Sequence, residues 1–388
     1  MDTLEELLTR GVANIISNKA DLRKKIESGQ KLNVYLGIDP TSTKIHLGHA
    51  VQLRKLNAFA KLGHNVTFLI GDFTSLIGDT SDKDTERPVL SKEEIEKNFQ
   101  TYKAQAEKIV DFSKVTVVHN SDWLSKLSFE DIVKLTQHFS VGDFVGRELI
   151  RKRLSENKRV GLHEFLYPVM QGYDSYHLDT DIQLGGTDQT FNMQAGRTLQ
   201  KDLRQKESFV MTSTLLEGTD GRKMSKSWGN AIWLDDTAED IYAKVMAVND
   251  ELIIPYYTLA TNVSLEEINE AEKALEKGEH PMDIKKKLAY VITQELTSTE
   301  QAEQAKEAFA KRVQGGETPD EIEEYTLEKE ETIIETLIAA KFALSKSEAR
   351  RLVQQGGVSI DGTTITDPEA TTTRGLLKVG KRRFAKVV

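Results

Sequence analysis

The 388-residue sequence contains no cysteine. Disulfide bridges, a thiol nucleophile and a zinc module with cysteine ligands are therefore excluded, and a reducing, cytoplasmic location is expected. No apolar run reaches the ~18–20 residues that a membrane span requires, and the acidic start MDTLEELLTRG lacks the features of a signal or transit peptide. Basic residues are fewer than acidic ones, and the formal net charge is −9. Any contact with nucleic acid is therefore expected from local basic patches.

Strand-like and helical segments alternate through the first 220 residues. Apolar spacing predicts a helix over residues 3–30 and strands at 34–38, 65–70, 115–118, 181–184 and 209–212. Ser91 and Glu94 have capping-box spacing at the start of a helix that should end near Phe112. The alternation predicts an α/β fold with a Rossmann-like, doubly wound parallel sheet. Ligands of such sheets bind beyond the carboxyl ends of the strands.

Composition and periodicity predict how the remaining chain is divided into domains. A helical insertion is expected at about residues 125–165 of the first domain (1–220), and helical periodicity fills residues 221–313. Residues 314–332 hold eight acidic residues against one lysine, which predicts a solvated tether. A small α+β domain should follow at 333–388. It contains a capped helix from Ser345, a Gly356-Gly357 helix end and a hairpin around Asp361-Gly362.

The last 48 residues are basic, with ten Lys and Arg against four Asp and Glu. Lys346, Arg350 and Arg351 lie on adjoining faces of the capped helix, so the domain could hold a phosphate backbone by shape. The alternative is a lysine-rich solubilising tail.

An anion site is predicted within residues 33–51 (NVYLGIDPTSTKIHLGHAV), where a strand ends and a helix begins. His46 and His49 share one face at the first turn, where unpaired N–H groups attract anions, and Gly48 lets a planar ligand approach. The alternative is a helix start with one buried and one solvated histidine. Further along, KMSKS (223–227) offers two lysines that could close over a polyphosphate, although lysine-rich surface loops are common.

A third candidate feature is the segment EFLYPVMQGYD (164–174). Tyr167, Gln171 and Asp174 recur on one helix face between apolar residues. Buried polar groups need partners, which favours a polar ligand over the alternative of a polar surface stripe.

HLGHA and KMSKS, in this order, resemble the two signatures of class I aminoacyl-tRNA synthetases. Further matching segments narrow the resemblance to the bacterial tyrosyl-tRNA synthetases. They are residues 35–49, 76–79, 120–123, 138–141, 171–174, 183–189 (QLGGTDQ) and the tail. Many members carry glycine where this chain has Asp72 and proline where it has Thr80. The extra carboxylate could change the charge of the pocket or face solvent.

The resemblance implies a two-step ligase. Tyrosine and ATP would give tyrosyl-adenylate and pyrophosphate, and the tyrosyl group would then pass to the terminal ribose of tRNA(Tyr). For tyrosine binding it assigns Tyr35, Asp79, Tyr167, Gln171, Asp174 and Gln189. For catalysis at the phosphates it assigns His46, His49, Lys83, Arg87, Lys223 and Lys226. For ATP it assigns Asp39, Gly48, Gly186, Asp188 and Lys226.

Partners follow from the same resemblance. Mg²⁺ would accompany ATP through phosphate oxygens and water, without a metal site built from protein groups. The protein would be a homodimer joined through residues 125–165, with residues 221–313 reading the anticodon. Two alternatives remain open: a tryptophanyl-tRNA synthetase and a non-catalytic RNA-binding relative.

Overall fold

The computed structural model describes residues 3–40, 43–78, 91–225, 228–315, 324–327, 331–340, 342–343, 345–380 and 383–388. Four of the predicted site residues lie outside these ranges, namely Asp79, Lys83, Arg87 and Lys226. The chain divides into two compact units, Met1–Lys306 and Glu307–Val388.

The described part of the first unit contains a six-stranded sheet. Its strands are β1 (Val12–Ile16), β2 (Asn33–Ile38), β3 (Asn65–Ile70), β4 (Val115–His119), β5 (Ile182–Gly186) and β6 (Phe209–Ser213). They lie in the order β1-β6-β5-β2-β3-β4, and all neighbouring pairs except β1 with β6 are parallel. The predicted parallel sheet is thus confirmed. Strand order reverses between β2 and β5, which is where open α/β sheets bind ligands.

The predicted helix over residues 3–30 is wrong. The structure has α1 (Leu4–Thr9), then β1, then α2 (Lys19–Glu27). Gly11 has φ +64°, a left-handed conformation that ends the helical path. Val12, Ile15 and Ile16 are β-branched, and β1 pairs antiparallel with β6 at the edge of the sheet. Tertiary pairing therefore overrides a spacing that also suited a helix.

Thirteen further helices are described up to residue 315. In the sheet region they are α3 (Leu47–Lys61), α4 (Lys92–Ala106), α5 (Ser121–Leu124), α6 (Phe129–Thr136), α7 (Val141–Val145), α8 (Glu148–Ser155), α9 (Leu162–His177) and α10 (Thr190–Arg204). After the sheet come α11 (Ala238–Met246), α12 (Ile253–Ala260), α13 (Leu265–Glu276), α14 (Pro281–Leu296) and α15 (Thr299–Gly315). The Ser91–Glu94 capping box is confirmed, but α4 stops at Ala106, short of the predicted Phe112. Helices α6 to α8 occupy the predicted insertion.

Buried cations join α1, α3 and the end of α12. Lys55 donates to the main-chain oxygens of Leu7 (2.7 Å) and Arg10 (2.8 Å). Arg54 donates to the Ala260 oxygen and pairs with Glu295 at 2.8 Å. Arg10 donates to Glu6 and to the main-chain oxygens of Tyr257, Thr258, Thr261 and Val263. These cations satisfy carbonyls that the helix end leaves without intrahelical partners.

The second unit is a small α+β domain with its own core. It contains β7 (Glu324–Tyr325), α16 (Ile333–Ala339), α17 (Lys346–Gln354), β8 (Val358–Ile360), β9 (Thr363–Thr364), β10 (Gly375–Val379) and β11 (Arg383–Val387). The predicted helix start, glycine helix end and hairpin are confirmed, although β9 is shorter than expected. The predicted tether of residues 314–332 is wrong at its end. There, β7 pairs with β11, and Leu327 packs against the core.

Candidate active site

A cavity of about 1060 Å³, including its open mouth, lies at the carboxyl ends of β2 and β5. Gly37 and Ile38 of β2 form part of its wall, and Leu184 and Gly185 of β5 form another part. The cavity therefore lies at the strand-order reversal that the fold predicts for ligand binding.

Two buried side chains, Tyr35 and Asp174, line this cavity. The family resemblance assigned both of them to the same ligand. Tyr35 is 3% exposed and its hydroxyl donates to Gln183 Oε1 at 3.3 Å. Asp174 is 2% exposed and accepts from Asn120 Nδ2 at 3.1 Å and Trp123 Nε1 at 2.7 Å. Burial raises the pKa of Asp174 to about 8, although these two donors oppose the rise. Burial and the nearby Asp174 carboxyl also raise the pKa of Tyr35.

The three supporting groups were not predicted as site residues. Asn120, Trp123 and Gln183 lie in segments that carried the resemblance, but no pattern identified them as partners of a buried acid or phenol. Their contacts join α5 to α9 and β5 to β2, and the members of each pair are far apart in sequence. A pattern search confined to one element could not have found them.

One face of α9 carries Tyr167, Gln171 and Asp174, and all three line the cavity, so the surface-stripe alternative is wrong. The Tyr167 hydroxyl donates to Asp39 Oδ2 at 2.8 Å, and the Thr74 hydroxyl donates to the other Asp39 oxygen at 2.7 Å. The Asp39 carboxylate is therefore held between α9 and the segment after β3.

Asp72, the departure from the family pattern, is not among the residues that line this cavity. Its carboxylate accepts from the Phe73 N–H and from both the N–H and the hydroxyl of Ser121, and His119 Nδ1 lies 3.4 Å away. Asp72 thus ties the end of β3 to the start of α5. It contributes only weakly to the raised pKa of Asp174.

The two signature histidines begin α3. His46 is the N-cap residue, and its ring stacks on that of His49 with centroids 3.8 Å apart. Both histidines are partly buried, so the alternative of one buried and one solvated histidine is wrong. The His46 N–H points to His49 Nδ1 at 3.3 Å, which assigns the ring proton of His49 to Nε2. Burial lowers the pKa of His46 to about 2 and that of His49 to about 4, so both imidazoles are neutral at pH 7.

The lysine loop reaches this end of the cavity. Lys223 Nζ lies 3.8 Å from Asp188 Oδ2, and its charge contributes to the lowered pKa of both histidines. Asp188 and Gln189 follow β5 and line the cavity. A Cβ at Gly186 would collide with the Asp188 carboxylate, and one at Gly48 would lie 3.0 Å from the His46 ring. Both glycines therefore leave room for these two side chains in their observed positions.

The predicted RNA-binding residues belong to the second unit. Lys346, Arg350 and Arg351 are exposed on α17, and Arg350 pairs with Glu369 at 2.6 Å. Within the described residues, no group of three or more acidic or histidine side chains could hold a metal ion. No helix in the same part of the chain is long and apolar enough to cross a membrane.

Comparisons with known proteins agree along the whole chain. The family described as tRNA synthetases class I (W and Y) matches residues 27–314, and the tyrosine–tRNA ligase SYY-like C-terminal domain matches 316–381. A tyrosine–tRNA ligase of Mannheimia succiniciproducens is 43% identical over 383 residues, covering 98% of this chain and 97% of that one. One of Thermotoga maritima is 43% identical over 387 residues, with 98% and 96% covered. The crystal structure of a C-terminally truncated mitochondrial tyrosyl-tRNA synthetase of Aspergillus nidulans has a TM-score of 0.67 at 21% identity, covering 79% of this chain and 93% of that one, which shows a shared fold.

Proposed function

Because the chain belongs to the class I tRNA synthetases, and within them to the tyrosine–tRNA ligases, we propose that the cavity at the carboxyl ends of β2 and β5 binds tyrosine at its Asp174 end and ATP at its His49 end. The enzyme joins L-tyrosine to ATP, releases pyrophosphate and transfers the tyrosyl group to tRNA(Tyr). The observation that carries the proposal is that one cavity is lined by the buried pair Tyr35 and Asp174, by His49 and by Asp188, which lies 3.8 Å from Lys223 of the lysine loop.

The proposed phenol site consists of Tyr35 and Asp174. A hydroxyl is both donor and acceptor, and this pair offers one of each. Trp123 and Asn120 hold the carboxyl in place, so it needs no rearrangement when substrate binds. A substrate without the hydroxyl would leave a buried acceptor unpaired, at a cost of about 1–3 kcal/mol. Phenylalanine should therefore bind and react poorly.

The substrate ammonium is assigned to Asp79, Tyr167 and Gln171, with Gln189 close to the substrate. Support comes from the Asp39 carboxylate, which the Tyr167 hydroxyl contacts at 2.8 Å. A cation is stabilised in such a site by carboxylate charge with polar support.

The nucleotide is assigned to Asp39, Gly48, Gly186 and Asp188, and its phosphates to the histidines and the lysine loop. The tyrosine carboxylate attacks the α-phosphorus, and the bond to pyrophosphate breaks. Catalysis then consists of positioning and charge stabilisation, without a protein nucleophile. A neutral His49 offers Nε2–H to a phosphate oxygen. Cationic support for the leaving pyrophosphate is assigned to Lys83, Arg87, Lys223 and Lys226.

Mg²⁺ is proposed to accompany ATP. The ion would be held mainly by phosphate oxygens and water, as Mg²⁺ usually is when it accompanies a nucleotide. Its charge would neutralise part of the triphosphate.

Transfer RNA is proposed to contact Lys346, Arg350 and Arg351 of the second unit, with residues 221–313 reading the anticodon. A homodimer through residues 125–165 is supported by Phe129, Val141 and Leu162, which are 82%, 77% and 80% exposed. Large apolar side chains this exposed mark interaction surfaces. Sedimentation equilibrium tests the dimer, and a monomer at micromolar concentration would contradict it. The cytoplasmic location stays a prediction.

The deciding experiment is amino-acid-dependent exchange of pyrophosphate into ATP. Exchange should depend on tyrosine, with phenylalanine and tryptophan giving little signal at matched concentrations. Preference for tryptophan would instead indicate a tryptophanyl enzyme. Exchange with none of the three, from a folded protein, would indicate a non-catalytic relative.

A further inference from the structure

Helix α4 presents a polar stripe to the connection between β2 and α3. Asn98, Tyr102 and Gln105 follow one another at spacings of four and three residues, so they share one helix face. The Asn98 amide donates to the Pro40 oxygen at 2.9 Å.

Gln105 fixes the same connection one turn later. Its amide donates to the Thr43 oxygen at 2.7 Å and accepts from the Ile45 N–H at 2.8 Å. Gln105 is only 4% exposed, so these are buried contacts. The two amides thus hold α4 against the backbone that leads into His46.

Tyr102 lies between Asn98 and Gln105 on the same helix face but differs from them in its contacts. Its side chain is 5% exposed and lines the active-site cavity, with its ring centroid 6.4 Å from that of His49. Over the ranges that the structure describes, no hydrogen-bond partner meets its hydroxyl, whereas the neighbouring amides are satisfied by protein groups. A hydroxyl that lines a cavity and has no protein partner can donate a hydrogen bond to a ligand in that cavity, so a bound ligand is its natural partner.

The ligand group must be an acceptor close to His49. Burial raises the pKa of Tyr102, so at neutral pH it carries its proton and can donate. Gln52 and Asp188 also line the cavity, and Asp188 meets the lysine loop through Lys223. Tyr35 and Asp174, which are proposed to bind the phenol, lie on β2 and α9, whereas Tyr102 lies on α4.

We propose that Tyr102 is a further ATP-binding residue, whose hydroxyl donates a hydrogen bond to a phosphate oxygen of ATP during adenylate formation. The inference deepens the proposed function and rests on it. Asn98 and Gln105 act as positioning residues, because they set the distance between α4 and the start of α3. Tyr102 makes the contact itself.

Tyr102→Phe in the full-length protein tests the proposal, since it removes one oxygen and keeps the ring. The expected result is a loss of about 10- to 100-fold in the single-turnover rate of adenylate formation divided by KM for ATP. Tyrosine binding, measured without ATP by equilibrium dialysis, should stay within about twofold. The melting temperature should not fall, because no protein partner loses a hydrogen bond.

Tyr257→Phe is the matched control. Tyr257 is also 5% exposed, and its hydroxyl lies 3.4 Å from the Ile284 oxygen in the helical region. This variant should change the ATP parameters by less than about twofold.

Three results would overturn the inference. ATP parameters that match those of the control would mean that the hydroxyl meets only water. Weaker tyrosine binding without ATP would assign the contact to the substrate carboxylate, and a lower melting temperature would reveal a protein partner. If the unmodified protein shows no tyrosine-dependent exchange, the proposed function itself fails, which is a distinguishable outcome.

Discussion

At the scale of single residues, the cavity depends on a carboxyl that is costly to ionise. Asp174 is buried against Tyr35 and held by Trp123 and Asn120, and its pKa is raised from 3.8 to about 8. A protonated or partly protonated acid can exchange hydrogen bonds with a phenol in either direction. The raised pKa of Asp174 also predicts how the free energy of unfolding depends on pH.

Asp174→Asn should change how stability depends on pH. Between pH 3.8 and about 8 the folded protein holds the Asp174 proton and the unfolded chain does not. The free energy of unfolding of the unmodified protein therefore falls as pH rises, by up to ~1.4 kcal/mol per pH unit from this group. The variant lacks this contribution, so its stability relative to the unmodified protein should rise from pH 5 to pH 8. Urea unfolding at each pH measures the difference.

The lowered pKa values of His46 and His49 make the free energy of unfolding rise with pH, which is the opposite direction. Both proteins contain these histidines, so their contribution cancels in the difference between the two. Parallel stability curves for the two proteins would mean that Asp174 is already ionised when buried.

At the scale of helices and strands, the sequence predicted an element correctly where the periodic pattern of apolar and polar residues lay within that one element. Strands β2 to β6 and the polar face of α9 were predicted, because each has a continuous period of its own. Strand β1 was missed, since its identity depends on pairing with β6. Tyr102 was missed for a related reason: only the packing of α4 against the start of α3 brings it to the cavity.

The buried cations between α1, α3 and α12 give a prediction at this scale. Arg10→Met should lower the free energy of unfolding by about 3–5 kcal/mol, because Glu6 would lose its buried ion pair at 2.8 Å and the end of α12 would lose its donors. Chemical denaturation measures the loss. Adding Glu6→Gln should restore part of it, whereas a double variant no more stable than Arg10→Met would show that Glu6 contributes nothing.

At the scale of the whole molecule, the cavity and the basic residues that are proposed to bind RNA belong to different compact units. The cavity lies within the first unit, and the basic residues of α17 lie in the second, which has its own core. Composition predicted this division but placed its edge too late. Residues 324–327 looked like part of an acidic tether because their backbone pairing with β11 leaves no mark on composition.

Removal of residues 316–388 should therefore spare adenylate formation and lower the rate of tRNA charging, by about 10-fold or more at physiological salt, because phosphate contacts are lost. Pyrophosphate exchange and charging, measured on the same preparation, test this. Equal loss of both activities would mean that the second unit is needed to fold the first.

The proposed function requires that one cavity holds tyrosine at the Asp174 end and the adenylate at the His49 end. A crystal structure with a non-hydrolysable tyrosyl-adenylate analogue tests it most directly. We expect the phenol oxygen within hydrogen-bond distance of Tyr35 and Asp174, with the ribose beside Asp188 and the phosphate mimic beside His49. An analogue bound in the reverse direction, or outside this cavity, would contradict it.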